Sequence, residues 1–270
     1  MCASDQPEEN RAAVLRAMDD AKAAGAGILL TPEVTNCVSQ SRTHQRAVLH
    51  HEADDPTLAA VRAAAAEAGL WVLLGSLALK TDDADGRFAN RSFLISDRGE
   101  IAGWYDKIHM FDVEVDETET FRESDGFRPG DRAVVVDAPL ASFGLSVCYD
   151  LRFAYLYRDL AQAGAQVLTV PAAFSPVTGT AHWEVLLRAR AIETGCFVLA
   201  PAQTGDHAVS RGRPRRTYGH SLVVAPWGEV LLDAGQMPGP HIIDVDVKEV
   251  DKARARVPAL HHDRPYTLVT

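Results

Sequence analysis

The sequence has few cysteines, few aromatic residues and no long hydrophobic run. Its four cysteines are spread over 270 residues without a C-x-x-C pair, which excludes a zinc ribbon or a disulfide framework and predicts free thiols. No apolar run approaches the roughly 20 residues that cross a bilayer. The N-terminal residues are polar and acidic rather than signal-like, so we expect a cytoplasmic protein without membrane contact.

Positive charge is also scarce. Lys and Arg total 27 against 37 Asp and Glu, for a formal charge of −10, and the one dense basic run, residues 211–216, is short. The basic surface that binds phosphate backbones is missing, so we expect no nucleic-acid partner. His50-His51 and His261-His262 have no Cys, Asp or Glu at metal-ligand spacing beside them, which favours surface histidines and no metal.

Apolar residues are plentiful, at 47% of the chain, and they follow alternating helix and strand patterns. Helices are predicted at 9–24, 56–69, 153–163 and 182–194, and strands at 27–30, 70–79, 91–96, 100–105, 133–136, 142–147, 166–170 and 196–200. Hairpins at 91–105 and 220–233 stand among helix-flanked strands, which predicts an α/β fold with mixed sheets. Residues 112–131 and 201–219 are predicted to be irregular, and we expect one domain over residues 1–270.

Three reactive residues lie at or just beyond predicted strand ends, where α/β folds place catalytic groups: Glu33, Lys107 and Cys148. A free thiol near pKa 8.5 needs a neighbouring base or cation to react at neutral pH. Glu33 is a candidate for the base, and Lys107 with the N–H of Tyr149 could stabilise an oxyanion. A cysteine at a buried strand end is also a common inert core residue, so these patterns alone leave both interpretations open.

Five stretches resemble successive motifs of the nitrilase superfamily of carbon–nitrogen hydrolases. In chain order they are LLTPE, YDKIHMFDVEV, FRESDGFRPGD, GLSVCYDLRF and AHWEVLLRARAIETGCFVLAPAQTG. The resemblance implies a four-layer α-β-β-α sandwich that pairs into a homodimer and needs no metal or organic cofactor. It also implies that Glu33 is the general base, Lys107 the oxyanion-stabilising cation and Cys148 the nucleophile that forms a thioester.

Further site residues are implied by the same resemblance. Glu123 in FRES matches a second glutamate that orders Lys107 and the substrate nitrogen; a surface salt bridge is the alternative. Arg152, four residues after the nucleophile, is expected to bind a substrate carboxylate in bidentate fashion, with a helix-start ion pair as the alternative. The other expected substrate-binding residues are Tyr149, Phe174 and Thr178.

The segment PAAFSPVTGTAHWEVLLRARAIETGCFVLAPAQTG, followed by RTYGHSLVVAPWGEV, is most similar to deaminated glutathione amidases. These enzymes release 2-oxoglutarate and cysteinylglycine from an amide of a 2-oxo acid. The alternative is ω-amidase, which acts on 2-oxoglutaramate and 2-oxosuccinamate and shares KIHMFDV and CYDLRF. Both substrates are anions. Arg211, Arg213, Arg215 and Arg216 could receive the glycine carboxylate of the first or form a solvated loop.

The chain departs from the family at its start. Family members begin with a core strand, whose end matches residues 1–4, so we expect most of that strand to be absent and a sheet edge to be unpaired. An inactive binding or scaffold protein is therefore a second function class. A Cys–His protease would need an Asn or Asp that orients the catalytic histidine, and no sequence motif identifies such a pair. A set of large apolar residues could form an interface stripe or core: Trp183, Leu186, Leu187 and Ile192.

Overall fold

A computed structural model describes residues 1–114 and 120–269; Val115, the last residue of the second motif, lies outside these ranges. The helices are α1 Pro7–Ala23, α2 Arg42–Val48, α3 Pro56–Ala68, α4 Ala154–Gln162, α5 Pro176–Thr194 and α6 Lys248–Arg256. The strands are β1 Ile28–Leu30, β2 Trp71–Leu79, β3 Ala89–Ile95, β4 Ile101–Asp106, β5 Asp112–Glu114, β6 Thr120–Arg122, β7 Val134–Asp137, β8 Ser142–Leu145, β9 Val167–Thr169, β10 Phe197–Ala200, β11 Thr204–His207, β12 Arg215–Tyr218, β13 Leu222–Val224 and β14 Val230–Asp233.

Two mixed sheets organise the chain. The first has the order β1-β2-β3-β4, with β1 parallel to β2 and the remaining pairs antiparallel. The second has the order β14-β13-β10-β9-β8-β7, in which β8, β9 and β10 run parallel. β1 lies at an edge of its sheet, and residues 1–4 form no strand. The predicted mixed sheets are confirmed.

The sheets pack face to face between two layers of helices. Helices α1 and α3 cover the outer face of the first sheet, while α4 and α5 cover the outer face of the second. Between the sheets, Leu73, Leu94 and Tyr105 from the first share a buried core with Phe143 and Leu145 from the second. The fold is therefore the predicted four-layer α-β-β-α sandwich.

Helix ends follow the local sequence. Asp55 accepts hydrogen bonds from the backbone N–H groups of Thr57 (3.0 Å) and Leu58 (2.8 Å) at the start of α3, and Gly69 ends that helix with a φ of +64°. α5 starts at Pro176, earlier than the predicted residue 182. Proline suits the first helical turn, where its missing N–H is not needed, so Pro176 opens a helix rather than extending the loop.

Two segments predicted to be irregular contain short hairpins instead. β5 pairs with β6 in the first of them, and β11 pairs with β12 in the second. Each strand has only three or four residues and is mostly polar, so neither segment shows the apolar alternation that marks a strand.

Other sequence expectations can be compared with residue exposure. Trp183 and Leu187 are fully buried, whereas Ile192 is exposed, so the apolar set divides between core and surface. The paired histidines are exposed. Within the described ranges all four cysteines are free, no cluster of side chains could hold a metal ion, and no helix is long and apolar enough to cross a membrane.

Candidate active site

The three predicted catalytic residues meet where strands of both sheets end. Glu33 lies three residues past β1, Lys107 directly follows β4, and Cys148 lies three residues past β8. Gly75 in β2 permits this convergence: a Cβ atom built there would lie 1.9 Å from the Thr31 carbonyl oxygen and 2.6 Å from Cβ of Pro171. The chain segments that lead to the candidate catalytic groups thus pack against a position without a side chain.

Lys107 lies between two carboxylates. Its Nζ donates to Glu33 Oε1 at 2.9 Å and to Glu123 Oε2 at 2.7 Å, and its side chain is 2% exposed. Asn90 Nδ2 also donates to Glu33 Oε1 at 2.9 Å, and the N–H of Ala173 donates to Glu33 Oε2 at 2.8 Å. The Glu123 carboxylate thus lies against Lys107, where it accepts charge-assisted hydrogen bonds inside the pocket.

Cys148 occupies a sharp turn. Its φ is +51°, in the left-handed region that residues with a side chain rarely adopt. Its N–H donates to the carbonyl of Pro171 at 2.9 Å. Buried Asp150 stabilises the turn by accepting hydrogen bonds from Tyr105 Oη (2.7 Å) and from the N–H of Val147 (2.8 Å). The hydrogen bonds on both sides of Cys148 hold the strained conformation and present the thiol to Glu33.

The charges of the three groups follow from their burial and contacts. Burial opposes ionisation of Glu33, but the Lys107 ammonium and the Arg215 guanidinium outweigh it and lower the pKa of Glu33. Burial also disfavours the Lys107 ammonium, yet Glu123 and Glu33 raise the pKa of that lysine. Burial and the Glu33 charge raise the pKa of Cys148 well above its usual range. At neutral pH the site therefore holds a carboxylate, an ammonium and a neutral thiol.

The pocket above these groups has a volume of about 220 Å³ and is lined by Tyr149, Phe174 and Thr178. All three are expected substrate-binding residues. Two buried polar atoms on its wall, Thr178 Oγ1 and Asn90 Oδ1, have no hydrogen-bond partner among the described residues. Buried polar atoms normally have partners, so these two are available to a bound substrate.

Arg152 lies at the edge of the pocket rather than on its wall. Its guanidinium is 5.9 Å from the ring centre of Tyr149 and 5.7 Å from that of Phe174. It contacts His182 Nδ1 at 3.3 Å and makes no ion pair with a described carboxylate, which is the contact that the helix-start alternative requires. Of the four arginines between 211 and 216, only Arg215 lines the pocket.

Several wall residues are not marked by the sequence pattern. Asn90 is the second residue of β3, and nothing in the local pattern distinguishes it; only the folded chain brings it to Glu33. Phe111 lies within the second motif, YDKIHMFDVEV, and its N–H donates to Glu123 Oε2 at 2.7 Å. Arg42 lies in the first turn of α2, and both Arg42 and Phe111 line the pocket. The one sequence signal for any of them is the position of Phe111 within the second motif.

Comparison with known proteins gives consistent matches. Residues 3–255 match the carbon–nitrogen hydrolase family. A deaminated glutathione amidase of Yersinia enterocolitica is 35% identical over 265 residues, which cover 98% of this chain and 91% of the relative. The crystal structure of the C. elegans NitFhit protein matches at 32% identity and a TM-score of 0.86, covering 98% of this chain and 63% of that one.

A third match concerns an amidase of Nesterenkonia sp. AN1. Its structure, from a glutamate-to-glutamine mutant in which acrylamide has added to the active-site cysteine, has a TM-score of 0.76 at 25% identity. The match covers 96% of this chain and 95% of that one. Together the matches confirm the resemblance inferred from the five sequence motifs.

Proposed function

We propose that this chain, which belongs to the carbon–nitrogen hydrolase family, hydrolyses deaminated glutathione to 2-oxoglutarate and cysteinylglycine. It is an enzyme that cleaves the carbon–nitrogen bond of an amide, and the proposal concerns its substrate and the roles of its residues. The observation that carries the proposal is the convergence of a thiol, a carboxylate and an ammonium on one pocket. The relative named deaminated glutathione amidase supports the choice of substrate.

Two cysteines line the pocket, and their surroundings distinguish them. Burial and the charge of Asp5 raise the pKa of Cys37 to about 12, and its thiol donates to the Asp5 carbonyl oxygen at 3.6 Å. Cys148 instead donates to the Glu33 carboxylate, a base that can accept its proton. The nucleophile in our proposal is therefore Cys148.

In the first half of the reaction Cys148 attacks the amide carbonyl while its proton passes to Glu33. The negative charge that develops on the carbonyl oxygen is stabilised by the Lys107 ammonium and the N–H of Tyr149. The carbon–nitrogen bond then breaks, Glu33 returns the proton to the leaving nitrogen, and a thioester on Cys148 remains. Glu123 keeps Lys107 protonated and in place.

In the second half, Glu33 takes a proton from water and the resulting hydroxide attacks the thioester. The carbon–sulfur bond breaks, the thiolate regains the proton, and the carboxylic acid leaves. Because the pKa of Glu33 is lowered by its cationic neighbours, the carboxylate is ionised and ready to act as a base throughout the neutral range.

The acyl part of the substrate fits the side of the pocket formed by Tyr149, Phe174 and Thr178. The Thr178 hydroxyl, which lacks a partner among the described residues, would donate to the 2-oxo acid. Arg152 at the pocket edge would attract the carboxylate of that acid. The aromatic rings separate this cation from the catalytic groups, so we expect Arg152 to influence binding more than chemistry.

A side-by-side assay tests the proposal. We expect release of cysteinylglycine from deaminated glutathione with a higher kcat/KM than release of ammonia from 2-oxoglutaramate, and Cys148→Ala should lose at least ~10⁴-fold in kcat. Cys37→Ala is the matched control, since it removes the other pocket thiol and should keep most activity. A reversed preference would assign ω-amidase activity. Equal, zero release by the unaltered chain and Cys148→Ala on every 2-oxo amide would instead assign an inactive binding protein.

The same proposal includes a single domain, a homodimer and a cytoplasmic location. Both sheets supply catalytic residues, which suits a single catalytic domain over residues 1–270. Tyr155, Val177, Val185 and Ile192 on α4 and α5 are 49–67% exposed, an apolar face of the kind that a homodimer covers. Mass measurement in solution would distinguish dimer from monomer. Thiols that must stay reduced suit the cytoplasm.

A further inference from the structure

Four cationic side chains line the catalytic pocket: Arg42, Lys107, Arg122 and Arg215. Lys107 is enclosed by two carboxylates, and Arg122 pairs with Glu114 at 2.9 Å. Arg42 faces the charges of Glu123 and Asp125. Neither Arg42 nor Arg215 makes an ion pair with an acid in the described ranges, and of these two it is Arg215 whose charge acts on Glu33.

Arg215 lies beside the general base. Its Nη2 donates to the carbonyl oxygen of Ala173 at 2.6 Å, and the N–H of the same residue donates to Glu33 Oε2 at 2.8 Å. One Nη2 hydrogen bond leaves most donors of the guanidinium group available. Ala173 thus links the guanidinium to Glu33, and the guanidinium can still bind a planar anion.

Strand alternation explains why Arg215, and not its neighbour, faces the pocket. In β12 the side chains of Arg215 and Thr217 point inward, and Thr217 Oγ1 contacts buried His207 Nε2 at 2.8 Å. Arg216 points away from the pocket and lies 3.6 Å from the exposed carboxylate of Asp206. Two adjacent arginines therefore have opposite environments on one short strand.

We propose that Arg215 binds a carboxylate carried by the leaving amine of the substrate. The inference rests on the proposed function, in which Glu33 protonates the leaving nitrogen and must therefore contact the amine side of the scissile bond. Arg215 lies on that side, because it is hydrogen-bonded to Ala173, whose N–H binds Glu33. Arg152 lies beyond Tyr149 and Phe174. In deaminated glutathione the amine side ends in the glycine carboxylate.

This placement makes Arg215 a specificity residue. An amide that releases a carboxylate-bearing amine gains a charge-assisted hydrogen bond at Arg215, while 2-oxoglutaramate, which releases ammonia, gains none. Arg215 also lowers the pKa of Glu33, but that effect acts on every substrate alike. The ratio of rates for two substrates therefore isolates the binding role from the effect on the base.

The test compares deaminated glutathione with its analogue in which the glycine carboxylate is a carboxamide. In the unaltered enzyme we expect the carboxylate to be preferred about 10- to 100-fold in kcat/KM, mainly through KM. Arg215→Gln should reduce that ratio to near one. Arg216→Gln, the matched control on the same strand, should keep it.

A ratio that Arg215→Gln leaves unchanged would overturn the assignment. Calorimetric binding of the same two ligands to Cys148→Ala, with and without Arg215→Gln, separates this inference from the proposed function. If the unaltered chain turns over neither ligand, the proposed function fails, yet a carboxylate preference in binding that disappears with Arg215→Gln supports the inference. Binding of neither ligand overturns both.

Discussion

The floor and the rim of the pocket are built from different parts of the fold. The floor consists of Glu33, Lys107 and Cys148, which follow strands of the two main sheets. The rim consists of the hairpins β5–β6 and β11–β12, each of which pairs only with itself among the described strands. Floor side chains are nearly fully buried, while Arg122 and Arg215 on the rim are partly exposed.

The difference between floor and rim indicates that the floor controls the chemical steps and the rim controls substrate recognition. Groups on the floor are held by several hydrogen bonds each, with carboxylates and ammonium in fixed positions, as catalysis of charge development requires. Rim groups keep unused donors and contact solvent, as recognition of variable substrates requires. Changes in the floor should therefore reduce kcat, and changes in the rim should alter binding or local stability.

After Cys148→Ala, the largest effect is expected from the loss of Lys107, at the centre of the floor. Lys107→Ala should reduce kcat by about a hundredfold or more, because the ammonium that we propose stabilises the developing oxyanion is lost. The protein should still fold, although Glu33 and Glu123 then lose their shared cation and the free energy of unfolding should fall by about 3–5 kcal/mol. Steady-state kinetics and urea denaturation measure the two changes.

The pH profile of Lys107→Ala gives a second readout. Since Lys107 lowers the pKa of Glu33, its removal should move the acid limb of kcat/KM to higher pH. Lys252→Ala, at an exposed lysine on α6, is the control and should change neither rate nor profile. A wild-type rate for Lys107→Ala would remove the functional distinction between floor and rim.

The floor is more predictable from the sequence than the rim, for physical reasons. Apolar runs with a clear period mark the main strands, and their ends coincide with the positions of Glu33 and Cys148. The rim strands have three or four residues, too few for a pattern, and the environment of Arg215 or Arg216 depends on which face of β12 each occupies. The role of Asn90 depends on tertiary contacts, since a polar residue inside a strand gives no indication of its partner.

A smaller effect is expected from Gly75→Ala, which tests the packing beneath the floor. The added methyl would lie 2.6 Å from the Pro32 carbonyl oxygen and 1.9 Å from that of Thr31, and backbone atoms there cannot yield without moving Glu33. We expect a loss of about tenfold in kcat, since small misplacements of reacting groups are costly, and of about 1–3 kcal/mol in unfolding free energy.

Gly27→Ala provides the matched control for that substitution. Its Cβ would meet only Leu140 at 3.5 Å, an ordinary contact, so activity should be retained. If Gly75→Ala lowered stability but left kcat unchanged, the positions of the floor groups would be less strictly coupled to β2 than the geometry indicates.

The smallest effect on turnover, and a distinct effect on stability, is expected at His207 in the rim. Burial lowers the pKa of His207 to about 4 and outweighs the hydrogen bond to the Ala3 carbonyl, which opposes the shift. The ring lies between that carbonyl at 2.7 Å and Thr217 Oγ1 at 2.8 Å. The unfolded chain binds a proton below about pH 6.5 and the folded chain does not. The contribution of His207 to stability should therefore be constant above about pH 6.5 and fall by about 3 kcal/mol as the pH decreases to about 4.

The pH range from about 6.5 to about 4 distinguishes His207 in the rim from Glu33 in the floor. Because the pKa of Glu33 is lowered, the contribution of Glu33 to stability is lost only below about pH 4.3, the pKa of an unfolded glutamate. Urea denaturation should show a lower free energy of unfolding at about pH 5 than at about pH 7.5 for the unaltered chain. For His207→Gln this decrease should be smaller, although the variant is less stable at the higher pH. His261→Gln, at an exposed histidine, should keep the full decrease. An equal decrease in all three would mean that protonation of His207 is not what makes the rim sensitive to acid.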